Sequence, residues 1–445
     1  VDDYRRIADR IAADIAAGRL TAGQRLPTQR AFARQRGIAA STAARVYAEL
    51  ARRGLVTGEV GRGTFVRAST PPPEPALAEP ADARVDLELS FSVLPDQPAL
   101  QARALASLVR PDALAASLSP IGAAGTPAAR EAAAHLLDRP GWAPDPDRLL
   151  FTGNGRQAIA AAIAALVPVG ERLGVEALTY PVVKALASRL GVTLVPLPVD
   201  GDGLLPEAVA EAHRAAPLRA IYVQPTLHNP LGTTMPAHRR TALADLVDRL
   251  GIFVVEDAVW SFLTDAPAPL AALAPSRTVL VDSLSKRLAP GLTVGVVAAP
   301  PRLTERLATA IRSGAWTTTR FGLDATVRWI GDGTVAAVAA GKRRDARGRQ
   351  ELVRDRLAGY AVRSDPGAYH CWWELPAPWR ADTFVAAAAR RGIAVTPAAA
   401  FTIGTSHAPN AVRLALATPP LPVLAGALDT LAALARATPE DMETE

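Results

Sequence analysis

The chain has 445 residues, 49% of them apolar, and its 49 lysines and arginines against 43 acidic residues leave a net charge of +6. That length exceeds one ordinary domain and points to two or three, with enough apolar residues to fill large cores. One cysteine, Cys371, excludes a disulfide framework or a cysteine-rich metal site; with no run of 18 uncharged apolar residues and no signal-like leader, a soluble cytoplasmic protein using no metal and no membrane is expected.

The charge is uneven: residues 1–67 hold 13 arginines against six acids, so the basic surface lies at the front of the chain. Tyr4, Ile7, Ala8, Ile11 and Ile15 make a helical stripe that Gly18 ends. A second helix opens at Thr28, a suitable N-cap, turns Ala31 and Phe32 inward, and stops at Gly37. The third runs from about Ser41 to Arg53, buries Val46, Tyr47 and Leu50, and stops at Gly54. Leu55 to Val66 then reads as two short strands around the tip Gly61-Arg62-Gly63. Such a helix fits the major groove of duplex DNA, and an arginine on a glycine-flanked tip can reach phosphate or the narrow groove.

Gly18-Arg19-Leu20, the run Gly23 to Arg30, and Gly61 to Val66 resemble the GntR-type winged helix. The resemblance covers the whole module, residues 1–67, and implies binding to double-stranded DNA. It makes Arg30, Ser41, Thr42, Arg45 and Arg62 the expected contacts. Where that family usually has a Ser-Arg pair at the start of its recognition helix, this chain has Ala39-Ala40, a departure that bears on which operator is read.

Residues 68–90 include Pro71, Pro72, Pro73, Pro75 and Pro80 without apolar periodicity, and are expected to form a semi-extended linker. From residue 91 to 438, short apolar runs alternate with helical patterns: 149–152, 173–176, 193–197, 220–223, 252–256, 279–282 and 294–298. The alternation predicts an α/β domain with a mainly parallel sheet, whose ligand groups sit on loops at the strand ends. Residues 439–445 are a tail.

Five loops carry suggestive residues. Gly153-Asn154-Gly155-Arg156-Gln157 is a glycine turn opening an alanine-rich helix, whose free amides and dipole suit a phosphate. Tyr180 follows the second run, Asn229 lies in the loop after 220–223, and Asp257 and Trp260 follow 252–256. The fifth loop is Ser283-Leu284-Ser285-Lys286-Arg287. Only three of the 49 basic residues are lysines (Lys184, Lys286, Lys342), so a composition that favours arginine has kept an amine here, and arginine cannot form an imine.

The order of glycine turn, Asn-Pro, apolar-Asp and Ser-x-Ser-Lys resembles the fold-type I aminotransferases. That resemblance implies a seven-stranded sheet with helices on both faces, a smaller C-terminal α+β subdomain, and pyridoxal 5'-phosphate. It makes Lys286 the Schiff-base lysine, Asp257 the partner of the pyridinium nitrogen, Asn229 a donor to the ring oxygen and Tyr180 the stacking ring. Gly155, Arg156, Ser283, Ser285 and Arg287 fall at the cofactor and its phosphate. Arg413, in Asn410 to Leu416, matches the arginine that grips a substrate carboxylate. Two positions depart: Trp260 stands for a tyrosine, and Thr293 for the phosphate-binding arginine, whose role Arg156 or Arg287 is expected to take.

A winged helix, a proline-rich linker and an aminotransferase-like domain together resemble the MocR-type branch of GntR regulators. That implies a homodimeric, pyridoxal phosphate-dependent transcriptional regulator sensing a small amino-compound effector, or the cofactor itself. The alternatives are a working aminotransferase with a DNA-tethering module, and a regulator that has lost the cofactor.

Overall fold

The computed structural model describes residues 3–17, 19–21, 24–53, 55–59, 63–66, 83–106, 108–404 and 408–438. At the front, helices Asp3–Ala16, Gln29–Arg36 and Ala40–Arg52 precede the antiparallel hairpin Val56–Glu59 and Gly63–Val66. Thr28 caps the second helix by accepting from the Ala31 amide, and Gly37 ends it in the left-handed region at φ 63°. The stripe read from the sequence closes on itself, since Ile7, Ile11, Phe32, Val46 and Leu50 form one core with Val66 of the hairpin. Of the inward pair expected on the second helix, Phe32 is buried; Ala31 is only half-buried, and Ala33 fills its place. The Tyr47 hydroxyl donates to the Pro27 carbonyl at 2.5 Å and ties the third helix to the segment that leads into the second. Gly18 and Gly54, expected as stops, and the tip residues Gly61 and Arg62 lie outside the described residues.

The large domain is built on seven strands in the order Leu149–Thr152, Gly295–Ala298, Thr278–Ser283, Phe253–Asp257, Ala220–Val223, Arg172–Glu176, Thr193–Leu197. Gly295–Ala298 runs antiparallel to both neighbours and the rest are parallel, so the expected mainly parallel seven-stranded sheet is what forms. The alanine-rich helix Gly155–Leu166 is buried along most of its length because it lies in the main core against this sheet. Small side chains there let helix and sheet approach closely.

A second sheet of five strands carries the C-terminal subdomain, in the order Ala361–Ser364, His370–Glu374, Ala411–Ala415, Ile393–Pro397, Val85–Leu87. The last of these corrects the linker boundary. Val85 to Leu87 pairs in parallel with Ile393 to Val395, and Leu87 is fully buried, so the stretch after residue 84 belongs to the folded domain. A three-residue strand has almost no periodic signal of its own; its partner lies about 300 residues away in sequence. Residues 67–82 and the tail 439–445 lie outside the described residues.

Candidate functional site

All five loops read from the sequence meet at the carboxyl ends of the central strands, around one cavity of about 310 Å³. Ligands of open α/β sheets bind at that end, because the helices that follow the strands start there and aim their amides at it.

One end of the cavity suits an anion. Asn154 caps the helix Gly155–Leu166 by accepting from the Gln157 amide at 3.0 Å, which leaves the amides of Gly155 and Arg156 outside the helical ladder. A side chain on Gly155 would come within 2.9 Å of the Ser283 hydroxyl, so the turn packs against the lysine loop only because residue 155 is glycine. Arg156, Ser283 and Ser285 line this region. Thr293 is tied to Ser285, oxygen to oxygen at 2.9 Å, and stays off the cavity wall.

Arg287 does not take the missing arginine's place. It shares one short helical turn, Leu284–Arg287, with Lys286, and successive side chains of a helix diverge by about 100°. Its Nη2 donates to Asp282 at 2.6 Å on the far side, where it borders a different cavity. Of the two arginines expected to replace the family's, only Arg156 faces the site.

At the opposite end lies Asp257, buried at the tip of its strand. Its Oδ2 accepts from the Tyr222 hydroxyl at 2.7 Å and from Gln224 Nε2 at 2.8 Å, while Oδ1 accepts from the Val259 amide at 3.1 Å. Burial pushes its carboxyl above the usual range and these three donors pull it back, so a cation placed against it would find an oriented carboxylate. Asn229 borders the cavity with its side-chain oxygen buried and unpartnered. Tyr180 and Phe401 supply aromatic wall, and Trp260 packs between the cavity and the rings of Tyr369 and His370.

Lys286 reaches into the middle. Its Nζ donates to the Ser90 carbonyl at 2.6 Å and lies 4.2 Å from the Phe91 ring centroid and 5.0 Å from that of Trp260. Burial, then repulsion from Arg156, Arg413 and Lys342, lowers its amine to about 7, so near neutrality much of it is unprotonated and nucleophilic. Arg413 enters from the second sheet. Its Nη2 donates to the Glu88 carbonyl at 2.5 Å and to Thr396 Oγ1 at 3.0 Å, its Nε has no partner, and burial pulls it down to about 10.

Two sets of residues escaped the sequence reading. Tyr222 and Gln224 orient Asp257, and their places on and after a buried strand gave no sign of it. Glu88, Ser90 and Phe91 roof the cavity from the stretch assigned to linker or domain start. The cue for the second set was the return of apolar residues at Val85 and Leu87 after the prolines.

In the winged module, Arg30, Ser41 and Arg45 are exposed and Thr42 is half-buried. Arg45 lies over the Tyr4 ring at 5.6 Å. The third helix begins at Ala40 with Ala39 at its cap, where no side chain bonds the first turn.

Comparison with known proteins agrees with both halves. Residues 3–66 match the model for bacterial regulatory proteins of the gntR family, and residues 119–431 match aminotransferase class I and II. An archaeal alanine:glyoxylate aminotransferase superposes with a TM-score of 0.72 at 21% identity, covering 80% of this chain and 91% of its own. Fold and site thus define a DNA-binding winged helix joined to the fold of the pyridoxal phosphate-dependent aminotransferases. Over nearly the full length, the uncharacterized HTH-type transcriptional regulator YdeF of Bacillus subtilis is 31% identical across 94% of this chain and 90% of its own. The pyridoxine biosynthesis regulator PdxR of Corynebacterium glutamicum is 27% identical across 90% and 89%. The chain belongs to the MocR-type branch of the GntR family of transcriptional regulators. Among its described residues no helix is long and apolar enough to cross a membrane.

Proposed function

We propose that this regulator holds pyridoxal 5'-phosphate in the central cavity and reports an amino compound bearing a carboxylate to its DNA module. The observation that carries the reading is the convergence on one cavity of a depressed lysine amine, a buried and oriented carboxylate, and a helix terminus with an arginine. The donor set fits the cofactor: orphaned buried atoms of Asn229 and Arg413 belong to residues that border the cavity, and the Gly155 turn and Arg156 line it with donors.

When bound, pyridoxal 5'-phosphate supplies an aldehyde that condenses with amines and a ring that withdraws electrons. The chain's residues do the rest. Lys286 offers its unprotonated amine, and must give up the Ser90 carbonyl to use it. Asp257 would hold a proton on the ring nitrogen, Asn229 would donate to the ring oxygen, and Tyr180 would stack on the ring. Gly155, Arg156, Ser283 and Ser285 hold the phosphate. Arg413 selects a carboxylate, since its guanidinium is buried and only partly satisfied. Arg30, Ser41, Thr42, Arg45 and Arg62 meet DNA, in a homodimer reading paired half-sites. Two arrangements of the modules that differ in affinity for the effector would transmit its binding by linkage.

The rival reading is an aminotransferase tethered to DNA, favoured by the presence of lysine, aspartate and carboxylate-binding arginine in one cavity. Absorbance before and after borohydride, with peptide mapping, is expected to place a reducible link on Lys286 and on neither Lys184 nor Lys342. Candidate amino acids are then added while operator affinity and keto-acid release are followed together. A spectral change that alters DNA affinity without turnover supports the sensor; rapid multiple turnovers with unchanged operator binding support the enzyme.

A further inference from the structure

A second cavity of about 290 Å³ lies beside the first, and its polar lining is dominated by hydrogen-bond donors. Four separate segments contribute. Arg139 comes from the turn after the helix Pro127–Leu137, Ser261 from the turn after Trp260, Arg287 from the lysine loop, and Arg343 from the long helix Thr334–Arg356. Two donors here are buried without any partner, Arg287 Nε and the Ser261 hydroxyl. Both residues are more than nine-tenths buried.

The charges are only partly spoken for. Arg287 uses Nη2 on Asp282, and Arg343 gives Nε to the Phe262 carbonyl at 2.5 Å with Asp265 at 3.5 Å. Arg139 forms no ion pair with a described residue; its Nε reaches the Leu137 carbonyl at 3.4 Å and its guanidinium lies over Trp142. The carboxylates on the rim, Asp138 and Asp265, are exposed, the latter almost completely, so water screens them. Asp282 pairs with Arg287 and, with Glu256, attracts Arg139, but Arg287 Nε and the Ser261 hydroxyl stay buried and unsatisfied, which costs free energy until an acceptor reaches them.

We infer that this second cavity is an oxyanion site for a phosphate monoester. Donors arriving from four directions suit a group with several oxygens; a carboxylate needs one planar fork. The volume beyond a phosphate leaves space for a small organic body. The site also touches the first: Asp282 lines the lysine cavity while its partner Arg287 lines this one, so an anion that engages Arg287 acts on the wall behind Lys286.

The test is equilibrium binding of inorganic phosphate to the full-length protein, freed of cofactor so that the first cavity is also open to it, at low chloride and read by calorimetry. Two sites are expected, and Arg156→Ala should remove only the one in the first cavity. Arg139→Gln combined with Arg343→Gln should weaken the other by at least about tenfold. Ser261→Ala, which removes a hydroxyl that has no partner in the free protein, should leave thermal unfolding unchanged. It should weaken phosphate by roughly two- to tenfold. Glycerol 3-phosphate should compete for this site at least as well as phosphate, and acetate should compete poorly. A single phosphate, abolished by Arg156→Ala, would overturn the proposal. So would a second phosphate indifferent to Ser261→Ala and to the double variant, or acetate competing as well as phosphate.

Discussion

At the scale of single residues, the depressed amine of Lys286 makes a claim that needs no cofactor. An exposed lysine titrates near 10.4 and stays protonated throughout neutral pH. With its amine lowered to about 7, Lys286 is largely neutral above that pH and protonated below it. Acylation of Lys286 in cofactor-free protein should rise about tenfold per pH unit up to about 7 and then level off, whereas a free lysine amine keeps rising to about 10. Mass spectrometry of the acylated peptide checks this; a rate still climbing at pH 9 would mean the amine is better solvated than its packing against Phe91 and Trp260 implies. Arg156 makes a second claim. With Thr293 turned to Ser285 and Arg287 to Asp282, Arg156 is the arginine left at the phosphate end. Arg156→Ala should therefore cost about 1.5–3 kcal/mol of pyridoxal phosphate affinity, measured by titration of absorbance. Undiminished affinity would shift the holding to the amides of Gly155 and its neighbour.

Secondary-structure elements show what local sequence can and cannot specify. Thr28 caps the second helix of the winged module with one side-chain bond to the Ala31 amide. Thr28→Ala should destabilise that helix by about 1 kcal/mol, seen as faster hydrogen exchange across Gln29–Arg36, with weaker operator binding if the helix positions Arg30. That cap was legible because capping chemistry is local: hydroxyl, first turn, and glycine at the far end all lie within ten residues. The strand-end loops were legible for a related reason. Each functional residue of those loops sits a short way beyond an apolar run, and the parallel sheet then brings the run ends together. What stayed hidden depended on distance or on side-chain direction. Val85–Leu87 becomes a strand only when Ile393–Val395 accepts it. Arg287 was placed with the cofactor because it follows Lys286, and the helical turn sends it the other way. Tyr222 and Gln224 find Asp257 across neighbouring strands, a register that no single stretch encodes.

Across the whole molecule, two physical connections between the DNA module and the cavity can be traced through the described residues. The first is a set of ion pairs between the winged helix and the C-terminal subdomain, Arg380 with Asp9 at 2.8 Å and Arg53 with Asp382 at 3.8 Å. Three of these four side chains are about a quarter to a half exposed, so each pair is worth no more than about 1 kcal/mol and fades with salt. The second is the chain itself. The linker leads into Val85–Leu87, and the next residues place the Glu88 carbonyl on Arg413 and the Ser90 carbonyl on Lys286. Both groups proposed to handle the effector thus bond backbone of the short segment that follows the domain's first strand. An effector carboxylate must displace Glu88 from Arg413, a charge-assisted bond of roughly 1.5–3 kcal/mol, and chemistry at Lys286 must release Ser90, a bond from a neutral amine of roughly 0.5–1.5 kcal/mol. This second connection outweighs the first, so the signal should travel through it. In cofactor-loaded protein, a carboxylate-bearing effector should speed amide exchange at residues 88–91 while operator affinity changes. Arg380→Ala should shift operator affinity by no more than about fivefold and leave the effector response intact. Arg413→Ala should speed exchange at 88–91 without any effector and abolish the response to carboxylate-bearing amines. Unchanged exchange at 88–91 alongside a full change in DNA affinity would rule this route out.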